Sequence, residues 1–266
     1  MSAAAPATIP AANDACEPTS GLVLPPALAE AVWRGDDLGL RAAATSSTGW
    51  AELDAELPGG GWPRQSVVEI LAAQPAVLEW RLLAPALRPV VDAGGQVVVI
   101  GPPRHPHLPG LQHVGLNERQ FIWIQADAPA ERLWTTEQFI KSNAAGAIVS
   151  WLPKARSEQI RRLQVCAQAN EGLTFLCRPE AARHEASAAP LRVHAAAKPD
   201  WQLDVHILKR RGPSHEGPTS VPSVPGGLAS VLTPRLRQLS RSLSREAADV
   251  VGSPVSPTRH RQPAAA

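Results

Sequence analysis

The chain has 266 residues, a net charge of +2 and a hydrophobic fraction of 44 %, enough for one domain of ordinary size with a buried core. So small a charge does not by itself indicate a nucleic-acid-binding protein, and no apolar run approaches the roughly 20 residues of a membrane helix. The three cysteines form no CxxC pair and no metal-ligand spacing with histidine, so we expect reduced thiols in a cytoplasmic protein without a metal site.

The two ends of the chain differ in composition from its middle. Residues 1–25 are rich in alanine and proline and contain no lysine or arginine, which predicts a disordered leader and not a signal peptide. Residues 212–266 are rich in proline, serine, glycine, threonine and arginine, which predicts a mostly disordered tail with one short helix near 234–250. The predicted folded domain is therefore 26–211.

Strand-like and helix-like runs alternate along this domain. Helices are predicted at 26–33, 50–57, 76–92, 129–143 and 157–169. Strands are predicted at 66–71, 96–100, 121–125, 145–151 and 172–177, and an antiparallel edge hairpin at 191–196 and 201–209. Apolar strands without polar alternation are typical of a parallel sheet that is covered on both faces. The predicted fold class is therefore α/β, an open, mostly parallel sheet with helices on both faces.

The first strand leads through a loop into a helix, which is the arrangement of a phosphate-binding P-loop. Such a loop needs glycines whose backbone N–H groups hold the phosphates, a lysine, and a hydroxyl group that holds magnesium. The loop here has none of these residues, and its proline also removes one N–H group. Its positions are Ala72, Ala73, Gln74, Pro75, Ala76 and Val77.

A later strand would carry the acidic residue that positions the metal, but here it ends in Ser150 and Trp151. Both halves of a magnesium–phosphate site are therefore missing, and no Ser/His/Asp or Cys/His arrangement stands out. We expect a protein that is not an enzyme and that has no catalytic residue and no bound cofactor. Glu69, inside the first strand, is predicted to pair with a neighbouring arginine or a backbone group.

Two stretches before the loop carry a family likeness. Residues 47–54 (STGWAELD) and 59–70 (GGGWPRQSVVEI) resemble the start of the RecA recombinase core, where S-T-G-x-x-x-L-D and a glycine-rich turn precede G-x-x-x-E-I. Within that superfamily the chain is most similar to the ImuA family of RecA-like accessory proteins, on the evidence of VWRG at 32–35, the degenerate P-loop and VIGPP at 99–103. This resemblance implies a RecA-like fold and a role in SOS-induced, error-prone translesion DNA synthesis.

The same resemblance implies partners and not substrates. The implied partners are ImuB, which is a relative of the Y-family polymerases, and an error-prone C-family DNA polymerase, with RecA and DNA held through the complex as further candidates. A second hypothesis is a cell-division inhibitor like SulA, a related degenerate RecA-like protein, which would bind FtsZ. A third is an active ATPase with an aberrant P-loop.

Basic residues in the last part of the chain are candidate contacts to a partner or to DNA phosphates. These residues are Lys209, Arg210, Arg211, Arg235, Arg237 and Arg241. The alternative for the first three is a solvated strand end. A proline-rich loop at 102–109, which contains two histidines, is expected to be rigid and could serve as a partner-binding surface.

The tryptophans divide into two predicted groups. Trp123, Trp134 and Trp151 lie in or beside predicted core elements and are expected to be packing residues. Trp33, Trp50 and Trp62 lie near turns and are expected to be partly exposed.

Overall fold

The computed structural model describes residues 44–113, 115–224, 228 and 231–233. The strands are β1 (Thr45–Ser46), β2 (Trp62–Pro63), β3 (Val67–Ala72), β4 (Val97–Ile100), β5 (Phe121–Ile124), β6 (Ala147–Trp151), β7 (Leu173–Pro179), β8 (Leu191–Ala197), β9 (Gln202–Lys209) and β10 (Pro218–Pro222). The α-helices are α1 (Ala51–Glu56), α2 (Leu78–Asp92), α3 (Leu108–His113), α4 (Pro129–Ser142) and α5 (Ser157–Ala167).

Eight of these strands form one sheet in the order β10-β9-β8-β3-β7-β6-β4-β5. From β8 to β5 all neighbours are parallel, whereas β9 and β10 are added as antiparallel strands. The short strands β1 and β2 pair separately from this sheet. The predicted α/β class, with its mostly parallel sheet, is therefore confirmed.

Helices cover both faces of the sheet because the apolar strands have two buried sides. On one face α2 packs over β3 and its neighbours, with Leu82, Leu83 and Leu87 turned inward. On the other face α4 and α5 form a second core, to which Ile140 and Ile160 contribute. Among the described residues no helix is long and apolar enough to cross a bilayer.

The last strand corrects the predicted boundary of the folded domain at residue 211. Pro218–Pro222 pairs with β9 along its whole length, so the sheet continues into the segment that was expected to be disordered. A strand that begins and ends with proline is suited to a sheet edge, where an N–H group facing solvent is not needed. The helices predicted at 26–33 and 234–250 lie outside the described residues.

Glu69 lies at the centre of a buried ion cluster between three adjacent strands. Its carboxylate accepts hydrogen bonds from Arg178 on β7, at 2.6 Å, and from Arg192 on β8. Arg178 also donates to the carboxylate of Glu185, at 2.6 Å. The predicted pairing of Glu69 with an arginine is confirmed, and hydrogen bonds to charged partners on both sides offset the cost of burying this carboxylate.

The predicted burial of the tryptophans is only partly right. Trp151 is buried, as expected, but Trp123 and Trp134 are 40 % and 61 % exposed, because Trp123 lies on the edge strand β5 and Trp134 on the solvent side of α4. Trp62 was expected to be partly exposed and is fully buried, with its ring edge-on to Phe175 at 5.6 Å between centroids. Trp33 lies outside the described residues.

Candidate functional site

The candidate site lies where several parallel strands end. The carboxyl ends of β3, β7, β6 and β4 meet at one edge of the sheet, which is where ligands bind in open α/β sheets. From the end of β3 at Ala72, residues 73–77 lead directly into α2. The predicted strand–loop–helix arrangement is therefore present, and the loop can be compared with a working phosphate cradle.

The backbone of this loop is arranged differently from a phosphate cradle. The N–H groups of Val77 and Leu78 both point to the carbonyl oxygen of Gln74, at 3.3 and 3.5 Å. Pro75 has no N–H group, and Ala76 has a φ of 62°, a left-handed conformation that favours glycine. The loop thus lacks or has already used N–H groups that a bound phosphate would need.

An acidic side chain of the chain itself lies at the N-terminus of α2. Glu79 is the second residue of this helix and is only 1 % exposed. Its Oε1 accepts a hydrogen bond from the indole Nε1 of Trp151, at 3.0 Å, whereas its Oε2 has no hydrogen-bond partner among the described residues. A helix N-terminus is the place where P-loop proteins hold a phosphate, and here it is next to a carboxyl group.

Burial raises the pKa of the Glu79 carboxyl group. The N–H groups of Glu79, Ala76 and Val77 and the indole of Trp151 act in the opposite direction and favour the ionised form, but they do not offset the burial. A buried acidic group in this position disfavours a second anion through repulsion when it is ionised. In either protonation state, the Glu79 side chain also occupies space beside the N-terminus of α2.

The strand end that would carry the metal-positioning acid is also closed. Ser150 is buried and its hydroxyl group is hydrogen-bonded to that of Thr136, at 2.6 Å, while Trp151 donates to Glu79. Both side chains are therefore engaged inside the protein and offer nothing to a metal ion at this edge. Within the described part of the chain, no three His, Cys, Asp or Glu side chains come together as a metal site.

A groove of about 350 Å³ opens beside the degenerate loop. It lies between α2, the segment from Arg104 to Leu111 that follows β4, and Ser223 and Val224 after β10. Its apolar lining comes from Trp50, Ala76, Trp80, Ala84, Pro85, Pro106, Leu111 and Val224. The volume lies within the roughly 300–1,000 Å³ that is usual for binding pockets.

The groove is held open by contacts within the protein. The indole Nε1 of Trp50 donates to the carbonyl oxygen of Leu82, at 2.9 Å. Arg81 donates to the backbone oxygens of Trp201 and Ser223, at 2.9 and 3.2 Å, which ties α2 to the end of β10. Gly49 packs directly on Pro85, where a β-carbon would collide with the proline ring. These contacts position the residues on two sides of the groove relative to α2.

The three consecutive basic residues at the end of β9 do not form one free cationic surface. Lys209 donates to the carbonyl oxygen of Ser187, at 2.9 Å, and Arg210 donates to the carbonyl oxygens of Pro213 and Glu56. Arg211 is exposed beside a small depression of about 180 Å³. Its contact with a partner stays a prediction.

The remaining basic candidates, Arg235, Arg237 and Arg241, lie outside the described residues. The proline-rich loop does form part of the groove, although residues Leu108–His113 are helical and not an irregular loop. The sequence interpretation missed the roles of Glu79, Trp80 and Arg81. A usable signal was the position of Glu79 directly after Leu78 and three residues before Leu82, which places it on the inward side of α2.

Comparison with known proteins finds a weak similarity to a curated protein. No protein-family model matches the chain. A stretch of 115 residues, which is 43 % of this chain and 68 % of the other protein, is 26 % identical to a protein of Edwardsiella piscicida. The chain is thus weakly similar, over less than half of its length, to the cell division inhibitor SulA of that organism.

Proposed function

We propose that this chain is a non-catalytic RecA-like accessory protein that acts through protein partners in SOS-induced, error-prone translesion DNA synthesis. The observation that carries the proposal is the closed phosphate edge, where Glu79 lies buried at the N-terminus of α2 and Ser150 is bonded to Thr136. A fold that keeps the sheet but has no open nucleotide site is suited to presenting binding surfaces to other proteins. The proposed partners are ImuB and an error-prone C-family DNA polymerase.

A second candidate function is inhibition of cell division through FtsZ. It is favoured by the similarity to the cell division inhibitor SulA, which covers 68 % of that protein. The two functions share a non-catalytic scaffold and differ in the partner. Binding to the partner therefore separates them, whereas the fold does not.

The test is a parallel binding experiment with the purified full-length chain. Immobilised chain is incubated with ImuB and, separately, with FtsZ at equal concentration, and bound protein is quantified after washing at physiological salt. We expect retention of ImuB and not of FtsZ. Retention of FtsZ alone would replace the proposal by the division inhibitor, and retention of neither would overturn both.

A genetic measurement complements the binding test. We expect a strain that lacks this protein to lose damage-induced mutagenesis while it still divides normally after damage. Filamentation that depends on the protein, with unchanged mutagenesis, would contradict the proposed role and favour the division inhibitor.

A further inference from the structure

We infer that the groove between α2 and residues 104–111 binds an acidic, apolar peptide segment of a partner protein. The inference rests on the proposed function, because it names the surface through which an accessory protein would act. Its evidence is the chemistry of the groove, which has an apolar floor and a rim that donates hydrogen bonds and carries positive charge.

The floor of the groove fits apolar side chains. Trp50 and Trp80 are both half-buried there, and Ala84 and Leu111 lie at its base. Half-buried tryptophans in a concave, preformed surface are typical of the anchor points of protein interfaces. A groove of this volume takes one or two apolar side chains of a peptide.

The rim of the groove fits carboxylates. Arg104, His105 and His107 are exposed along it, and no aspartate or glutamate is among its described lining residues. The Nδ1 of His107 accepts a hydrogen bond from the N–H of Gly110, at 3.2 Å, which leaves its Nε2–H free to donate outward. The ring of His105 packs edge-on against Trp123, with 4.8 Å between centroids, and this contact holds the rim in place.

Arg81 also lines the groove and keeps its positive charge, but its N–H groups are already used within the protein. Its guanidinium group already donates to Ser223 and Trp201. Arg104 is therefore the exposed permanent cation at the rim, with the two imidazoles as neighbouring donors. This arrangement suits one or two carboxylates beside an apolar anchor.

Other occupants fit the groove less well. A nucleotide would need the N–H groups that the neighbouring loop lacks or has used. Nucleic acid is held by several phosphate contacts, whereas Arg104 is the one exposed arginine among the described lining residues. The C-terminal segment beyond Val224 is rich in arginine, so its charge has the same sign as the rim. The leader is an alternative occupant for the experiment to detect.

The experiment titrates the full-length chain with the blocked synthetic peptide Glu-Asp-Leu-Pro-Leu-Phe-Asp-Glu by isothermal titration calorimetry. Binding is located by the indole N–H signals in NMR spectra, where we expect Trp50 and Trp80 to shift and the remote Trp134 to stay unchanged. A control peptide with lysine in place of each acidic residue, and a short oligothymidine, are titrated under the same conditions.

Charge reversal at the rim provides the matched variants. Arg104→Glu combined with His107→Glu should lower the affinity for the acidic peptide by about tenfold or more, because charge-assisted hydrogen bonds become repulsive contacts. Arg119→Glu changes an exposed arginine that does not line the groove, and it should leave the affinity unchanged. All these positions are exposed, so circular dichroism should report an unchanged fold.

Several outcomes would overturn the inference. These are no binding of the acidic peptide at about millimolar concentration, equal binding of the lysine peptide, preferred binding of oligothymidine, or shifts at tryptophans away from the groove. If a synthetic peptide of residues 1–25 binds the groove more tightly than the acidic peptide and displaces it, the leader is the occupant, and this result would also overturn the inference. Peptide binding without retention of ImuB would instead contradict the proposed function.

Discussion

At the scale of single residues, Glu79 combines three features that seldom occur together. It is buried, it lies in the first turn of a helix, and one of its oxygens has no hydrogen-bond partner among the described residues. The helix N-terminus and the indole of Trp151 favour its charge, whereas burial disfavours it and dominates. Because the pKa of the carboxyl group is raised in the folded protein, its contribution to stability depends on pH.

The sign of this dependence leads to a prediction for Glu79→Gln. Below the unfolded pKa, near 4.5, the wild-type carboxyl group is protonated in both states and costs little. As pH rises above that value, the unfolded state ionises first and the wild type loses stability relative to the glutamine variant. We expect Glu79→Gln to be more stable by roughly 1 kcal/mol at pH 8, with the difference shrinking toward pH 4.

Urea denaturation of both proteins across this pH range measures the effect. The control is Glu158→Gln, which changes an exposed glutamate on α5 and should show no comparable pH-dependent gain. A glutamine variant that is less stable than wild type at pH 8 would mean that Glu79 is held as a favourable carboxylate.

Glu79 also shows why residue roles were harder to predict than the loop itself. The missing glycine, lysine and hydroxyl residues are visible in the sequence, so the degenerate loop was identified. An acidic residue in a first helical turn is usually exposed, where it complements the helix dipole. Here Glu79 is buried and bonded to Trp151, which is distant in sequence. Trp62 was misassigned for a similar reason, since its partner Phe175 is distant in sequence.

At the scale of elements, the attachment of β10 depends on one side chain of α2. Arg81 donates to the carbonyl oxygen and the hydroxyl group of Ser223 and to the carbonyl oxygen of Trp201. Burial lowers the pKa of its guanidinium group, which still lies far above neutral pH. The strand is also held by its pairing with β9, by packing against α1 and by a hydrogen bond from Lys198 to Ser220.

Arg81→Met is therefore expected to loosen β10 without unfolding the sheet. The variant keeps most of the apolar stem but loses three hydrogen bonds, for a local cost of about 1–3 kcal/mol. Hydrogen exchange followed by mass spectrometry should show faster exchange in peptides that cover 218–224, with β3 and β7 unchanged. Arg88→Met, which removes only an exposed contact to Asp92 at 3.7 Å, is the matched control. Equal exchange in the two variants would contradict the anchoring role.

The predicted elements agree best where the sequence has strong apolar runs. β3, β4, β6 and β7 are each four or more buried residues in succession, and their parallel pairing follows from the helices between them. β10 was missed because PTSVP has the composition of a turn and becomes a strand only through pairing with β9. α3 was missed because its sequence, LPGLQH, combines a proline and a glycine within six residues.

At the scale of the whole molecule, the edge of the sheet at residues 73–79 is closed, whereas the groove beside it is open. This contrast leads to a prediction for nucleotide binding. We expect titration of the full-length chain with Mg-ATP to show no binding tighter than about millimolar, and phosphate release to stay at the buffer level. Binding in the micromolar range would show that the loop adapts to a phosphate, and it would revive the hypothesis of an ATPase with an aberrant P-loop.

The overall architecture was predictable because alternation of strand and helix restricts the topology to a few arrangements. The partner surface was not predictable in the same way. Its parts come from α2, from the segment after β4 and from the segment after β10, which are brought together only by folding. The loop at 102–109 was singled out from its place after an apolar strand, and the structure does place it on the groove.

The buried cluster around Glu69 has a consequence for how the sheet finds its alignment. Side chains alternate between the two faces of a strand, so a slip of β3 by one residue would turn Glu69 to the opposite face. Arg178 and Arg192 would then be buried without their shared carboxylate, which costs free energy. A slip between purely apolar strands carries no such penalty. Runs of valine and isoleucine can pair in several registers, whereas the ion pairs of Glu69 form in only one. Glu69 thereby selects the register of three adjacent strands.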